Sequence, residues 1–87
     1  MEKYRITFKK SVAKDFRALP NSDIKKILAK IDTLAENPRR DGAIKLSGYD
    51  LYRIRQGLYR IIYEIRESEL VVQVIKVGHR SDVYKRT

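Results

Sequence analysis

Three arginines set at alternating positions around a turn, Arg53, Arg55 and Arg60, are the residues of this chain best suited to chemistry. They lie in Leu51 to Glu64, which reads LYRIRQGLYRIIYE. Successive side chains of a strand point to opposite faces. Arg53 and Arg55 therefore share one face, and Tyr52 and Ile54 take the other. Beyond a turn at Gln56-Gly57, Arg60 stands with Ile62 and Glu64, while Tyr59, Ile61, Tyr63 and Ile65 point the opposite way. Cross-strand neighbours in a hairpin lie about 5 Å apart, so the three arginines can converge on one patch. Solvent or an anionic ligand must then compensate their mutual repulsion. Guanidinium forks match phosphate oxygens bidentately. The tail HRSDVYKRT adds three capable groups: His79, Arg80 and Tyr84.

Other reaction classes lack parts. The chain has no cysteine and one histidine, which excludes thiol catalysis and cysteine- or histidine-rich metal sites. Carboxylates are scattered without a dyad, and no glycine-rich phosphate loop follows a strand. No cofactor or metal is implied. Arginine, histidine and tyrosine suit phosphodiester transesterification in RNA, where the nucleophile is the substrate's own 2′-hydroxyl. The protein need only orient it, stabilise the phosphorane and move two protons. Tyr84 lies in a segment too polar to bury it by periodicity, and an exposed aromatic beside arginines can stack on a base.

Each group has a plainer reading too. Strand arginines are most often solvated, and a lone histidine after a glycine is most often a surface residue. Tyr52, Tyr59 and Tyr63 alternate with isoleucine and read as core. The residues alone stop at a nucleic-acid-binding domain, with ribonuclease chemistry and binding without cleavage both open.

The 87 residues form one domain, residues 1–87, with 43% hydrophobic content, enough for a single core but not for a deep pocket. A net charge of +9 favours a polyanion or an acidic protein as partner. No segment approaches the ~20 apolar residues of a membrane span, and the N-terminus lacks a signal peptide's apolar run. A cytoplasmic protein is expected.

The elements that must position the arginines read as follows. Lys3 to Phe8 alternates as a half-buried strand. Val12, Phe16 and Leu19 recur at helical spacing up to Pro20. Asn21 and Ser22 are good caps for a second helix, whose stripe runs through Ile24, Ile27, Leu28, Ile31 and Leu34 to Asn37-Pro38. Arg39 to Asp50 reads as a basic connector, then comes the hairpin. Glu67-Ser68 marks a turn, and Leu70 to Val77 a strand that Gly78 breaks. The order β-α-α-β-β-β implies an α+β fold: a helical hairpin packed on one face of a mostly antiparallel four-stranded sheet. The arginines should be left on the uncovered face.

At LYRIRQGLYRIIYEI followed by VVQVIKVGHRSDVY, the sequence resembles the RelE branch of the RelE/ParE toxin superfamily. The likeness begins at YRITFKKSVAKDFRALP, continues through AENPRRDGAIKLSG and spans nearly the whole chain. It implies a ribosome-dependent endoribonuclease that cleaves messenger RNA in the A site and is neutralised by a cognate antitoxin. Carried over position by position, Arg60 and Arg80 would hold the scissile phosphate. Arg53 and Arg55 would orient substrate and stabilise the transition state, and Tyr84 would stack on or orient the nucleotide. Lys45, with Arg39 and Arg40, would contact RNA. Some ribosome-dependent relatives carry lysines at the positions of Arg53 and Arg55. Arginine, with a pKa above about 12, carries protons poorly, which draws attention to His79 as a proton carrier. The partners implied are the ribosome, messenger RNA and an antitoxin with an acidic amphipathic segment. Rival readings are a ParE-like poison of DNA gyrase and a non-catalytic binding module.

Overall fold

The hairpin forms as its alternation requires. A computed structural model describes residues 3–46 and 50–79. In it β3 (Leu51–Gln56) and β4 (Tyr59–Arg66) pair antiparallel, with Gln56 opposite Tyr59. The turn is one residue later than expected, because Gln56 still pairs and only Gly57 and Leu58 lie between the strands. Gly57 has φ 61°. Two-residue hairpin turns require positive φ at that first central position, which glycine adopts without steric cost.

Three more strands complete the sheet: β1 (Arg5–Phe8), β2 (Ile44–Lys45) and β5 (Val71–His79), in the order β1-β5-β4-β3-β2. The sheet has five strands rather than four. Two-residue β2, inside the expected connector, is too short to show an alternation; register with β3 makes it a strand, Ile44 opposite Arg53 and Lys45 opposite Tyr52. β1 runs parallel to β5, and the other pairings are antiparallel. Gly78 does not end β5, because it pairs opposite Arg60 and the strand continues to His79.

Helices α1 (Lys10–Arg17) and α2 (Asn21–Glu36) cover one face. Ile27, Ile31 and Leu34 of α2 and Val12 of α1 meet Ile54, Ile61, Tyr63, Val72 and Val74 of the sheet, all buried. Asn21 and Ser22 do not cap α2. Pro20 occupies that position without a side-chain bond, and its carbonyl accepts from the Asp23 and Ile24 N–H groups at 3.1 and 3.0 Å. Burial of the apolar stripe, rather than a cap, holds this helix.

A polar clasp closes the end of the molecule distant from the hairpin turn. Arg39 donates to Glu67 at 2.6 Å and to the Tyr52 hydroxyl at 3.2 Å, and Tyr4 donates to Glu67 at 2.6 Å. The Arg39 guanidinium, then the Tyr4 hydroxyl, hold the Glu67 carboxyl below its ordinary value. A carboxyl whose folded pKa is depressed stabilises the fold above its unfolded pKa of about 4.3, and that stability is lost as pH falls through the folded value. The melting temperature should therefore drop on acidification from about pH 5 to pH 3 more in the wild type than in Glu67→Gln. Parallel pH profiles of the two proteins would remove this role from the clasp.

Candidate RNA-binding face

The strand register brings the hairpin arginines together. Arg55 lies directly opposite Arg60, and Arg53 opposite Ile62. A two-residue turn closes on a hydrogen-bonded pair, here Gln56–Tyr59, which makes Arg55–Arg60 the adjacent non-hydrogen-bonded pair. Side chains of such pairs approach most closely, with Cα atoms roughly 4.5 Å apart. Like charges directly opposite destabilise a sheet, so this pairing is a cost the fold carries.

On its other side Arg60 faces Gly78 of β5, a position with no side chain. A glycine inside a β-branched run marks a site where another group comes close to the backbone. Read as a strand breaker in the sequence, Gly78 instead pairs within β5, opposite Arg60. Lys76, two residues earlier and opposite Ile62, adds a further exposed ammonium to the face. It is shared with Asp15 of α1 at 3.4 Å. The one acid of β4 on this face, Glu64, is toward the opposite end and takes Arg66 at 3.3 Å. The face is thus polarised, with positive charge gathered at the hairpin turn.

The three arginines differ in exposure. Arg55 is exposed, Arg53 half-buried and Arg60 only 6% exposed. Arg60 is therefore on the expected face but drawn into it rather than displayed. A guanidinium withdrawn from water binds an anion more strongly than one at the rim, because less solvent competes.

The remaining sequence candidates fall elsewhere. His79 pairs opposite Tyr59 and packs its ring edge-on against it, centroids 6.1 Å apart at 85°. That is the helix side of the sheet, behind the arginines. Lys45 is exposed but opposite Tyr52, also on the helix side, and Ile44 takes the place beside Arg53. Arg39 is committed to the clasp and lies over the Tyr52 ring at 5.6 Å. Arg40 is half-buried, its Nε without a hydrogen-bond partner among the described residues. Arg80 and Tyr84 lie outside the described residues.

The architecture is thus a small α+β domain with two helices on one face of a mixed sheet and paired arginines on the other. The family model described as "ParE toxin of type II toxin-antitoxin system, parDE" matches residues 6–84. The chain belongs to this RelE/ParE toxin family, and its relatives place it with the RelE-type toxins. It is 35% identical over 86 residues to the mRNA interferase toxin RelE of Escherichia coli, covering 93% of this chain and 90% of that one. The archaeal RelE–RelB complex of Pyrococcus horikoshii contains a similar chain, with TM-score 0.78, 33% identity, and coverage of 97% and 98%. The intact Escherichia coli RelBE toxin–antitoxin complex contains another, with TM-score 0.78, 27% identity, and coverage of 87% and 95%.

Proposed function

We propose that this toxin is an endoribonuclease that cuts messenger RNA in the ribosomal A site and is held inactive by a cognate antitoxin. The observation that carries the reading is the Arg55–Arg60 pair beside Gly78, on a face no described helix covers. The similar chain named mRNA interferase toxin RelE, and those solved with RelB, support both halves of it.

In the proposed reaction the 2′-oxygen attacks the adjacent phosphorus and its proton passes to a base. The bond from phosphorus to the 5′-oxygen breaks, and that oxygen takes up a proton. The products are a 2′,3′-cyclic phosphate and a 5′-hydroxyl. Arg60 and Arg55 bind the non-bridging oxygens, and their bond strength grows as charge gathers there. Arg53 orients the strand, and Arg80 and Tyr84 complete the set. The protein supplies charge stabilisation without a metal. At the arginine end, the described strand residues of the face carry no carboxylate or imidazole, while Asp41 lines a recess with Arg53 and Arg55 and Asp15 of α1 pairs with Lys76. We assign alignment of the 2′-oxygen to the ribosome, and positioning of this kind is worth up to about 7–11 kcal/mol. Acting on translating ribosomes, the toxin works in the cytoplasm.

The test is brief induction in cells and mapping of new RNA 5′ ends on one message, with and without its start codon. Cuts in codon register that require translation are expected. Cuts that persist without translation would mean a free ribonuclease, and DNA breaks without RNA cuts would mean a gyrase poison. A message carrying a 2′-deoxy nucleotide at the cut site should not be cleaved there. Binding to single-stranded RNA should weaken with salt, with a slope near −3.5 if about five phosphates are neutralised. A flat response would contradict the patch.

The antitoxin is expected to present an acidic amphipathic segment to this basic surface.

A further inference from the structure

Behind the Arg60–Gly78 pair, on the helix side of the sheet, lies its immediate neighbour pair, Tyr59–His79. Tyr59 is half-buried and donates its hydroxyl to Asp23 of α2 at 2.7 Å, while the His79 ring packs edge-on against it. We propose that this Asp23–Tyr59–His79 lock positions Arg60 and Arg55 for phosphate, making Tyr59 a positioning residue of the face on its opposite side. The proposal rests on the reading of that face as the RNA site.

The need for a lock follows from what surrounds it. The turn lies close to Arg60: Leu58, two residues before it, is 59% exposed. Between the turn and the start of α2 is a recess of about 180 Å³, walled by Asp23, Lys26, Gln56, Gly57, Leu58 and Tyr59. Among the described residues, Tyr59 is the hairpin residue nearest the turn that packs against the core. Arg55 and Arg60 are like charges at directly opposed positions, an arrangement that weakens strand pairing, and strand ends are where sheets open first. The Tyr59–Asp23 bond crosses the recess, a neutral donor on an ionised acceptor and so among the stronger kinds. The same carboxylate raises the phenol's pKa, so the hydroxyl stays a donor through neutral and mildly alkaline pH. Neighbouring side chains on a strand alternate faces, so fixing the Tyr59 ring fixes the backbone from which Arg60 departs. Misplacing a reacting group by about 1 Å can cost ~10²-fold in rate.

The experiment is single-turnover cleavage on programmed ribosomes, with rate and half-saturating ribosome concentration measured separately for Tyr59→Phe and Asp23→Asn. Tyr59→Phe keeps the ring and loses the donor, so the maximal rate should fall about tenfold. Half-saturation should stay within about twofold. Asp23→Asn keeps an acceptor oxygen and should remain within about threefold of wild type. Amide exchange at Arg60 and Gly78 should quicken in Tyr59→Phe, while Ile31 and Leu34 stay protected. Wild-type cleavage by Tyr59→Phe would overturn the positioning role, as would a rate loss that only follows loss of folded protein. Arg60→Ala assayed alongside separates the two ideas. An inactive Arg60→Ala beside a fully active Tyr59→Phe removes the lock alone; full activity in both removes the phosphate face as well.

Discussion

Arg60→Ala is expected to lower the cleavage rate on ribosomes by about 10²- to 10³-fold, the range for losing one donor to a charged transition state. The loss should be larger than for Arg55→Ala. Arg55 is exposed, whereas Arg60 is 6% exposed and keeps its charge where water competes least. Stability should change little, because two effects oppose each other. Removing Arg60 relieves the like-charge contact with Arg55, worth roughly 0.2–1 kcal/mol. It also removes the packing of a long aliphatic stem. A melting temperature within about 5 °C of wild type is therefore expected, given about 4–8 °C per kcal/mol for a domain of this size. Arg60→Lys retains the charge but not the planar fork, and should recover only part of the rate. Cleavage by a folded Arg60→Ala at the wild-type rate would end the assignment of this face to phosphate.

Tyr63→Ala should be the most damaging change to the fold itself. Tyr63 is wholly buried in the centre of β4, its ring stacks on Tyr52 with centroids 5.8 Å apart, and its hydroxyl donates to the Pro38 carbonyl at 2.6 Å. Truncation removes a large ring from the middle of the core, costing about 3–5 kcal/mol. That is a large share of the ~5–15 kcal/mol that holds a domain together. The melting temperature should fall by roughly 15 °C or more. Tyr63→Phe isolates the polar part: it leaves the Pro38 carbonyl without its donor and should cost about 1–2 kcal/mol. Urea titrations should show this as a lower midpoint at unchanged slope. Burial keeps the Tyr63 phenol protonated well beyond its ordinary range, so the bond should survive at alkaline pH. A neutral Tyr63→Phe would show that the Pro38 contact contributes nothing.

Both predictions depend on which features the sequence could reveal. Period-two alternation determined which residues of the hairpin face each way, because a strand leaves each side chain only two directions. Arg53, Arg55 and Arg60 therefore share a face, and Tyr52, Ile54, Ile61 and Tyr63 enter the core. The long stripe of α2 and the turn signals determined the element order for the same local reason. Strand β2 was not legible, since two residues carry no period.

Gly78 shows the boundary most clearly. In sequence it reads as a stop; in the sheet it pairs, and what it opposes is Arg60. His79 and Arg39 were legible as chemical groups, but only their neighbours decide their employment. Tyr59 claims the imidazole from behind the arginines, and Glu67 and Tyr52 claim the guanidinium at the far end. The Asp23–Tyr59 bond joins residues 36 apart, and no spacing rule connects them. By itself the sequence determined the faces and the charge, because side-chain direction and composition are local properties. Tertiary structure alone decided register, burial and partnership, because those depend on which distant segments the shared core brings together.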